Sequence, residues 1–288
     1  MKILIIQERG RHKENENFRE ALNMKRALLS IGIETEVWGL NYDNENIPFD
    51  TFVKEYDVIL LFENYEINNW VPDLSKYTDK LKIFWSIDSH LNLHAHTQTV
   101  KKNNINITLN SIESDMAYFT YSKNYYFPNA YPDDLIYPMP EIKKVHNIGF
   151  VGGYGNRQEW IERLKTDFNL NENIFVIGKR MVELVNSFKI NFNRNISNDV
   201  NYRTFETLGM KTFLLTNRTE NIEKLFPAEN KYLITYDDYQ DLCNKIQYYL
   251  DHPSEREQIA SDGYEFVKAN HTYISRAKEL LQIIKENI

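Results

Sequence analysis

The sequence predicts an α/β protein made of two successive units, each a parallel β-sheet flanked by helices. Two observations lead to this fold class. Short runs of apolar, mostly β-branched residues alternate with segments whose apolar residues recur every three or four positions. This alternation restarts after a proline-rich stretch in the middle of the chain. Alternating strands and helices are typical of β-α-β units, in which the strands run parallel.

The N-terminal half contains six runs of strand length. The first, residues 2–7, is largely apolar, as expected of a strand that is buried on both faces of a sheet. A helix is predicted from Phe18 to Leu29, where apolar residues recur at helical spacing, and Gly32 marks its end. A shorter helix is predicted over residues 114–119. The six predicted strands are residues 2–7, 34–38, 57–62, 81–85, 106–109 and 125–128.

Residues 128–140 hold four of the eight prolines in the chain. Proline cannot continue a central strand and restricts the preceding residue to extended conformations, so a linker between two domains is predicted here. The expected domains are residues 1–135 and 141–270, and a last helix, residues 271–288, is expected to pack back towards the first domain. Two such domains are expected to face a cleft, where ligands commonly bind.

The second half repeats the alternation of strands and helices. Its predicted strands are residues 147–151, 174–177, 188–192, 212–216 and 232–235. Its predicted helices are residues 158–168, 201–208, 239–250, 254–268 and 272–285.

Composition and charge exclude several classes of protein. Apolar residues make up 42% of the chain and charged residues 26%, which is typical of a globular protein. A net charge of −7 argues against a general nucleic-acid binder, and a single cysteine excludes an internal disulfide. The apolar run at residues 3–6 is too short for a signal peptide, and no run is long enough to cross a membrane. We therefore expect a cytoplasmic protein.

A glycine-rich loop, residues 152–157, lies between a predicted strand and a predicted helix. Gly152 and Gly153 allow the backbone to approach a phosphate closely, and the following helix offers unpaired N–H groups. Arg157 adds a planar cation that suits phosphate oxygens. The spacing matches neither the dinucleotide-binding motif nor the P-loop. The alternative interpretation is a simple turn.

Two further segments carry charges near predicted strand ends. Lys179 and Arg180 follow the strand at 174–177 and are suited to a diphosphate, although a solvated surface pair explains them equally well. Glu206 lies on a short helix before the strand at 212–216. A carboxylate there can accept hydrogen bonds from the paired hydroxyls of a ribose. Spacing alone favours a glutamate on the helix surface.

Several segments of the C-terminal half follow one another in a characteristic order: residues 201–209, 212–216, 241–249, 252–256, 259–260, 271–273 and Arg276. In this order, over roughly residues 147–285, the chain resembles the glycosyltransferase-like domain of the CgeB spore-maturation family, within the GT-B superfamily. The resemblance implies a GT-B fold, with two Rossmann-like domains facing a cleft. It also implies a nucleotide-sugar donor, UDP- or GDP-linked, that binds in the C-terminal domain.

The resemblance assigns roles within the segment around Glu206. By analogy with retaining GT-B enzymes, Glu206 holds the donor ribose, and Arg203 on the same helix is placed at the donor site. In many such enzymes a second glutamate, eight positions earlier, contacts the transferred sugar. Here that position is Asn198, with Asp199 beside it.

The resemblance also assigns the diphosphate to Arg157 and to Lys179 or Arg180. A leaving nucleoside diphosphate gains negative charge, and fixed cations and helix N-termini stabilise that charge without a metal ion. The sequence has no Asp-x-Asp motif at a strand end, which a metal-dependent GT-A enzyme would need. We therefore expect sugar transfer that needs no metal or other cofactor.

The acceptor side is expected in the N-terminal domain. Asp88 and His90 follow the strand at 81–85, and either is suited to act as a general base towards an acceptor hydroxyl. His90, His94 and His96 also allow a metal site, which is the least favoured interpretation, or a set of half-buried, hydrogen-bonded histidines. A loop after the first strand supplies further candidates for acceptor or phosphate contact: Gly10, Arg11 and His12.

Three functions remain open from the sequence. The first is a retaining glycosyltransferase whose acceptor is a glycan, a protein, a small molecule or a modified base in DNA. The second is a GT-B module that binds a nucleotide or a glycan without turnover, which Asn198 in place of a glutamate supports. The third is another enzyme on a two-lobed scaffold, such as an epimerase acting on a nucleotide sugar.

Overall fold

The computed structural model describes residues 1–10, 12–64, 70–228 and 230–288. The chain divides into two compact units. Unit 1 comprises Met1–Pro128 and Tyr273–Ile288, and unit 2 comprises Asn129–Thr272. Each unit contains one parallel β-sheet with helices packed against it.

Unit 1 is built on a six-stranded sheet in the order β2-β1-β3-β4-β5-β6. In its register, Ile3 lies opposite Thr35 on one side and Val58 on the other. The strands are β1 (Lys2–Ile6), β2 (Glu34–Trp38), β3 (Val58–Phe62), β4 (Leu81–Ser86), β5 (Ile107–Asn110) and β6 (Lys123–Tyr126). The β-branched runs fold as strands because both faces of the sheet are covered, and every residue of β3 is buried.

Helices of unit 1 pack on this sheet. They are α1 (Glu20–Ser30), α2 (Phe49–Phe52) and α3 (Ser89–Lys102), with short 3-10 helices at Lys13–Phe18, Val53–Glu55 and Glu113–Tyr118. One face of the central strands forms a core in which alternate residues, such as Leu4 and Ile6 of β1, pack with Ile59, Leu61 and Phe84. The helix predicted at residues 114–119 is present as the 3-10 helix Glu113–Tyr118.

The last helix of the chain, α10 (Tyr273–Lys285), belongs to unit 1. It packs against α1. Arg276 Nε donates a hydrogen bond to the carbonyl oxygen of Pro128 at 2.7 Å, and the Tyr273 ring lies 6.4 Å from that of Trp85. These contacts join the end of the chain to the sheet that its beginning forms.

Unit 2 is built on a five-stranded sheet in the order β11-β10-β9-β7-β8. The strands are β7 (His146–Gly152), β8 (Asn171–Ile174), β9 (Phe188–Phe192), β10 (Phe213–Asn217) and β11 (Ile234–Tyr236). The helices are α4 (Gln158–Phe168), α5 (Gly178–Asn186), α6 (Tyr202–Gly209), α7 (Glu220–Leu225), α8 (Tyr239–Asp251) and α9 (Pro253–Asn270). Alternate residues of the central strands, such as Ile148, Phe150, Ile190 and Phe192, form the core.

Two boundaries differ from those expected. The strand predicted at 174–177 is β8, which begins at Asn171 and ends at Ile174. Because β8 is an edge strand whose residues are only half-buried, polar residues are tolerated in it and the apolar pattern misplaces it. Residues 129–135, assigned above to the N-terminal domain, lie in unit 2, where Asn129 Nδ2 donates to the carbonyl oxygen of Val200 at 3.2 Å.

Candidate active site

The glycine-rich loop of unit 2 leaves the carboxyl end of β7 and enters α4 through a 3-10 turn, Gly155–Arg157. Arg157 is buried at this turn. Its Nε donates to the carbonyl oxygen of Arg194 at 2.6 Å, and its Nη1 donates to that of Gly153 at 3.0 Å. The guanidinium of Arg157 thus ties the glycine loop to the segment that follows β9.

Three arginines lie near one another at this edge of the sheet. Burial lowers the pKa of Arg157 from its usual value, and the positive charges of Arg203 and Arg194 lower it further. Nε atoms of both Arg194 and Arg203 are buried and have no hydrogen-bond partner within the described parts of the chain. Neighbouring guanidinium groups, two of which have a buried Nε without an acceptor in the described chain, favour a bound anion, which would lower their electrostatic energy.

Acidic groups offset part of this charge. Glu206 Oε2 lies 2.8 Å from Arg203 Nη1, with both side chains largely buried. Asp199 is also buried and raises the pKa of Arg157. Glu206 therefore stands on α6 beside the arginine cluster, and one oxygen of its carboxylate contacts Arg203.

A network of buried amides and hydroxyls holds the segment that carries Arg194. Asn193 Nδ2 donates to the hydroxyl oxygens of Thr204 and Thr216 at 3.3 and 3.1 Å. Asn195 Oδ1 accepts from the backbone N–H of Asn201 at 3.1 Å. Asn201 in turn caps α6 by accepting from the Thr204 N–H. Because these partners are buried, they fix the path of residues 193–201 at the sheet edge.

Asn198 lies in the same segment, and its side chain is exposed. Its carbonyl oxygen accepts a hydrogen bond from Asn221 Nδ2 at 2.7 Å, which joins the segment to α7. The position at which the resemblance leads us to expect a glutamate is thus open to solvent and holds a neutral amide in this chain.

Lys179 and Arg180 lie in the first turn of α5 with exposed side chains. Both line a surface cavity together with His146, the first residue of β7, and Ser187, which precedes β9. Arg157 follows the opposite, carboxyl end of β7. Lys179 and Arg180 begin α5, the helix that follows β8, and the cavity extends along α5 to the amino ends of β7 and β9. Among the described residues, neither shares a hydrogen bond or an ion pair with Arg157.

Unit 1 presents a second polar cluster at the carboxyl end of its sheet. Glu63 follows β3, and its Oε2 accepts hydrogen bonds from the backbone N–H groups of Ile87 at 3.1 Å and Asp88 at 2.6 Å. Glu63 Oε1 lies 3.5 Å from His96 Nε2, and His96 Nδ1 lies 2.8 Å from Ser86 Oγ. Burial opposes ionisation of Glu63, but His96 and the two N–H donors hold its pKa below the usual value.

Asp88 stands at the start of α3 with a half-buried carboxyl group. Burial raises the pKa of Asp88 to about 7, and the negative charges of Glu63 and Glu20 contribute to the rise. A carboxyl group with that pKa exchanges protons readily at neutral pH, which is the property that a general base or acid requires.

The remaining predicted residues of unit 1 are spread out. His90 is half-buried in the first turn of α3, His94 is exposed and His96 is buried against Ser86. Gly10 has φ 103° and follows β1, and His12 is exposed before the 3-10 helix. Arg11 lies outside the described residues. Within the described ranges, no group of three or more His, Cys, Asp or Glu side chains is placed to hold a metal ion.

Two residues of these clusters were missed from the sequence. Arg194 follows β9 directly after Asn193, and Glu63 is the first residue after β3. Both would have been selected by the rule that ligands lie beyond the carboxyl ends of parallel strands. The alternation of asparagine in residues 191–195 was a further signal, because repeated amides at a strand end are typical of a hydrogen-bonded loop.

Within residues 1–10, 12–64, 70–228 and 230–288, none of the helices combines the length and the apolar character that a membrane crossing requires.

Comparison with known families gives one match. The family model described as Glycosyl transferase-like matches residues 134–282, which include β7 to β11 and most of α10. No curated protein matches the sequence of the chain.

Solved structures match nearly the whole chain at low identity. A sucrose-phosphate synthase (tll1590) from Thermosynechococcus elongatus is 11% identical, with a TM-score of 0.69 over 99% of this chain and 98% of that one. Anabaena Alr3699/HepE, in complex with UDP and glucose, is 11% identical, with a TM-score of 0.66 over 99% and 100% of the two chains. An alpha-glucosyltransferase in complex with UDP and a mismatched 13-mer DNA is 13% identical, with a TM-score of 0.73 over 99% and 100%. These matches confirm the predicted fold class, two Rossmann-like parallel-sheet domains of the GT-B type.

Proposed function

The chain belongs to the glycosyl transferase-like family, and on this premise we propose that it transfers a sugar from a nucleotide-sugar donor to an acceptor hydroxyl group. We propose further that the transfer needs no metal ion or other cofactor and retains the configuration of the anomeric carbon. Membership of the CgeB-like subfamily, a cytoplasmic location and the roles of individual residues stay predictions.

The arginine cluster of unit 2 carries this proposal. The positive charges of Arg157, Arg194 and Arg203 lie close together and partly buried at the edge of the sheet. Within the described chain, the Nε atoms of Arg194 and Arg203 lack acceptors. A diphosphate would supply several anionic oxygens at that place. As the bond from the sugar to the diphosphate breaks, negative charge grows on the leaving group, and the guanidinium groups would stabilise it.

The donor is proposed to be a UDP-linked hexose. Structural relatives were solved with UDP, or with UDP and glucose, and this fits a donor in which the diphosphate links a nucleoside to a sugar. Glu206 would accept hydrogen bonds from the ribose hydroxyls with the oxygen that does not face Arg203. A GDP-linked donor would use the same arginines and is the alternative.

Asp88 is the proposed acid–base group. In its ionised form it would take the proton of the acceptor hydroxyl, while the acceptor oxygen bonds to the anomeric carbon on the same face from which the nucleoside diphosphate departs, as retention requires. Its pKa of about 7 means that a large fraction is ionised at neutral pH. His90, two residues later, is the alternative base. The acceptor is a hydroxyl of a glycan, a protein, a small molecule or a modified DNA base.

A direct test is to incubate the protein with UDP-glucose, other UDP-hexoses and GDP-mannose, and to measure release of the nucleoside diphosphate. Proton NMR of the product then shows whether the anomeric configuration is retained. Activity that persists in EDTA supports a metal-free reaction. Conversion of the donor into another nucleotide sugar, without release of the diphosphate, would instead indicate an epimerase.

A second candidate function is a module that binds a nucleotide or a glycan without turnover. The observation that favours it is Asn198, an exposed amide where a glutamate is expected to contact the transferred sugar. Calorimetry with UDP and UDP-glucose separates the two candidates. The binding module is supported if UDP-glucose binds tightly but UDP is not released with any acceptor class. The variant Asn198→Glu then tests whether the missing carboxylate is the cause of the absent turnover.

A further inference from the structure

A large aromatic side chain stands uncovered beside the glycine loop of unit 2. Phe175 is 79% exposed, and no other aromatic side chain in the described chain exposes a larger fraction, since Tyr121 follows at 60%. An isolated exposed apolar residue needs no explanation, but this one lies at the carboxyl end of β8, next to the strand that leads into the glycine loop.

The backbone of Phe175 is held in an unusual conformation. Its φ angle is 55°, in the left-handed region that residues other than glycine rarely adopt. Its N–H donates to the carbonyl oxygen of Gly152 at 3.2 Å, which fixes this conformation against the glycine loop. Strained conformations of bulky residues cluster at ligand sites, where they aim a side chain.

The glycine loop also positions the ring. A Cβ atom at Gly153 would lie 3.6 Å from Cε1 and 3.9 Å from Cζ of Phe175, so one edge of the ring rests beside that glycine. The opposite part of the ring stays in solvent. The ring is therefore oriented by its neighbours and presents an exposed aromatic surface.

From this arrangement we propose that Phe175 is the platform on which the aromatic base of the nucleoside diphosphate stacks. This inference rests on the proposed function, in which the arginine cluster binds the diphosphate. That cluster lies beyond β7 and β9, and β8 is the strand adjacent to β7, about 4.8 Å away. Base-on-aromatic stacking tolerates every nucleobase, so Phe175 contributes affinity for the nucleoside and leaves the choice of base to other residues.

The test compares ligands with and without a base. Calorimetry measures binding of UDP, GDP, UDP-glucose and inorganic diphosphate to the wild type and to Phe175→Asn. Asparagine tolerates the left-handed conformation, so this variant removes the ring and keeps the backbone. Phe175→Tyr keeps an aromatic ring. Val145→Ala is the matched control, because Val145 is 66% exposed and precedes the amino end of β7.

We expect Phe175→Asn to weaken binding of the nucleoside diphosphate by about five- to a hundredfold and to leave binding of inorganic diphosphate unchanged. Phe175→Tyr and Val145→Ala should bind as the wild type does. The inference is overturned if Phe175→Asn binds UDP and GDP with wild-type affinity. It is also overturned if the variant loses affinity for UDP-glucose but not for UDP, because the ring would then contact the sugar. It is also overturned if the wild type binds nucleotides no better than diphosphate. If the wild-type protein binds none of these ligands, the proposed function itself is overturned.

Discussion

Glu206 Oε2 lies 2.8 Å from Nη1 of Arg203, one turn earlier on the same helix. The pair stands at the edge of the sheet where Arg157 and Arg194 also lie, so Glu206 has two possible tasks. It neutralises part of the positive charge there, and it offers a second carboxylate oxygen to a ligand. The two tasks differ in what the loss of its charge would do.

Glu206→Gln is expected to weaken UDP binding about tenfold, because a charge-assisted hydrogen bond to the ribose becomes a neutral one. The free energy of unfolding should also fall, by about 1–3 kcal/mol, since the largely buried Arg203 exchanges a charged partner for a neutral one. Binding of inorganic diphosphate should not weaken, because it lacks the ribose. Calorimetry and urea-induced unfolding measure these quantities.

Glu183→Gln is the matched control for Glu206→Gln. Glu183 also contacts an arginine three positions earlier, with 3.4 Å between its Oε2 and Nη1 of Arg180, but that pair lies on α5. The control should bind UDP as the wild type does. If Glu206→Gln loses stability while UDP affinity is unchanged, Glu206 is an electrostatic partner of Arg203 and no ribose ligand.

Arg194→Ala is expected to weaken binding of a nucleoside diphosphate by about ten- to a hundredfold, since a charge-assisted contact is worth roughly 1.5–3 kcal/mol. Binding of the bare nucleoside should hardly change, because it lacks the diphosphate charge. Arg157→Ala should show the same selectivity and should also lower stability, because Arg157 holds two backbone carbonyls. Calorimetry with uridine and UDP measures the difference.

The variant Arg180→Ala tests whether Arg180 binds the diphosphate. The sequence predicted that Arg180 binds the diphosphate, whereas in the structure its exposed side chain pairs with Glu183 and lines a cavity that extends along α5. We expect its UDP affinity to equal that of the wild type. A loss as large as that of Arg194→Ala would instead support the sequence prediction that Lys179 or Arg180 binds the diphosphate.

The fold could be predicted because buried parallel strands leave an unambiguous signal. Each of β1, β3 and β4 is covered on both faces, so each contains at least three consecutive apolar residues in place of an alternation of polar and apolar ones. At β8 the signal fails, because an edge strand tolerates polar residues such as Asn171 and Asn173. A strand was consequently predicted at residues 174–177, and the helix Gly178–Asn186 that follows β8 was not predicted.

The candidate sites stay predictions, and the way their residues were chosen differs. Residues after strands could be chosen one strand at a time, and Asp88 and Arg157 were selected in this way, whereas Glu206 was assigned by the family resemblance. Which of them meet depends on the order of strands in the sheet, which sequence spacing does not reveal. Glu63 and Asp88 touch because β3 and β4 are neighbours.

Glu63→Gln is expected to lower the pKa of Asp88, because the negative charge of Glu63 is, after burial, the largest contribution that raises it. In an activity assay the acid limb of the pH profile should therefore shift to lower pH, while the amide still accepts hydrogen bonds from Ile87 and Asp88. The profile of kcat/KM against pH is the measurement. A variant that loses activity equally at every pH would show that Glu63 only shapes the loop.

Asp88→Asn is expected to stabilise the protein increasingly as the pH rises. The pKa of Asp88 is about 7 in the folded protein, whereas an aspartate in an unfolded chain has a pKa of about 3.9. The folded state therefore disfavours the ionised carboxylate. This penalty is absent below pH ~4, grows as the pH rises and is complete above pH ~7, where it reaches at most about 4 kcal/mol.

Asparagine carries no charge at any pH and removes the penalty. Between pH 5 and 8.5 the advantage of the variant over the wild type should grow by roughly 2–3 kcal/mol in urea-induced unfolding. A difference that stays constant over this range would contradict the raised pKa, and with it the proposal that Asp88 exchanges the acceptor proton near neutral pH.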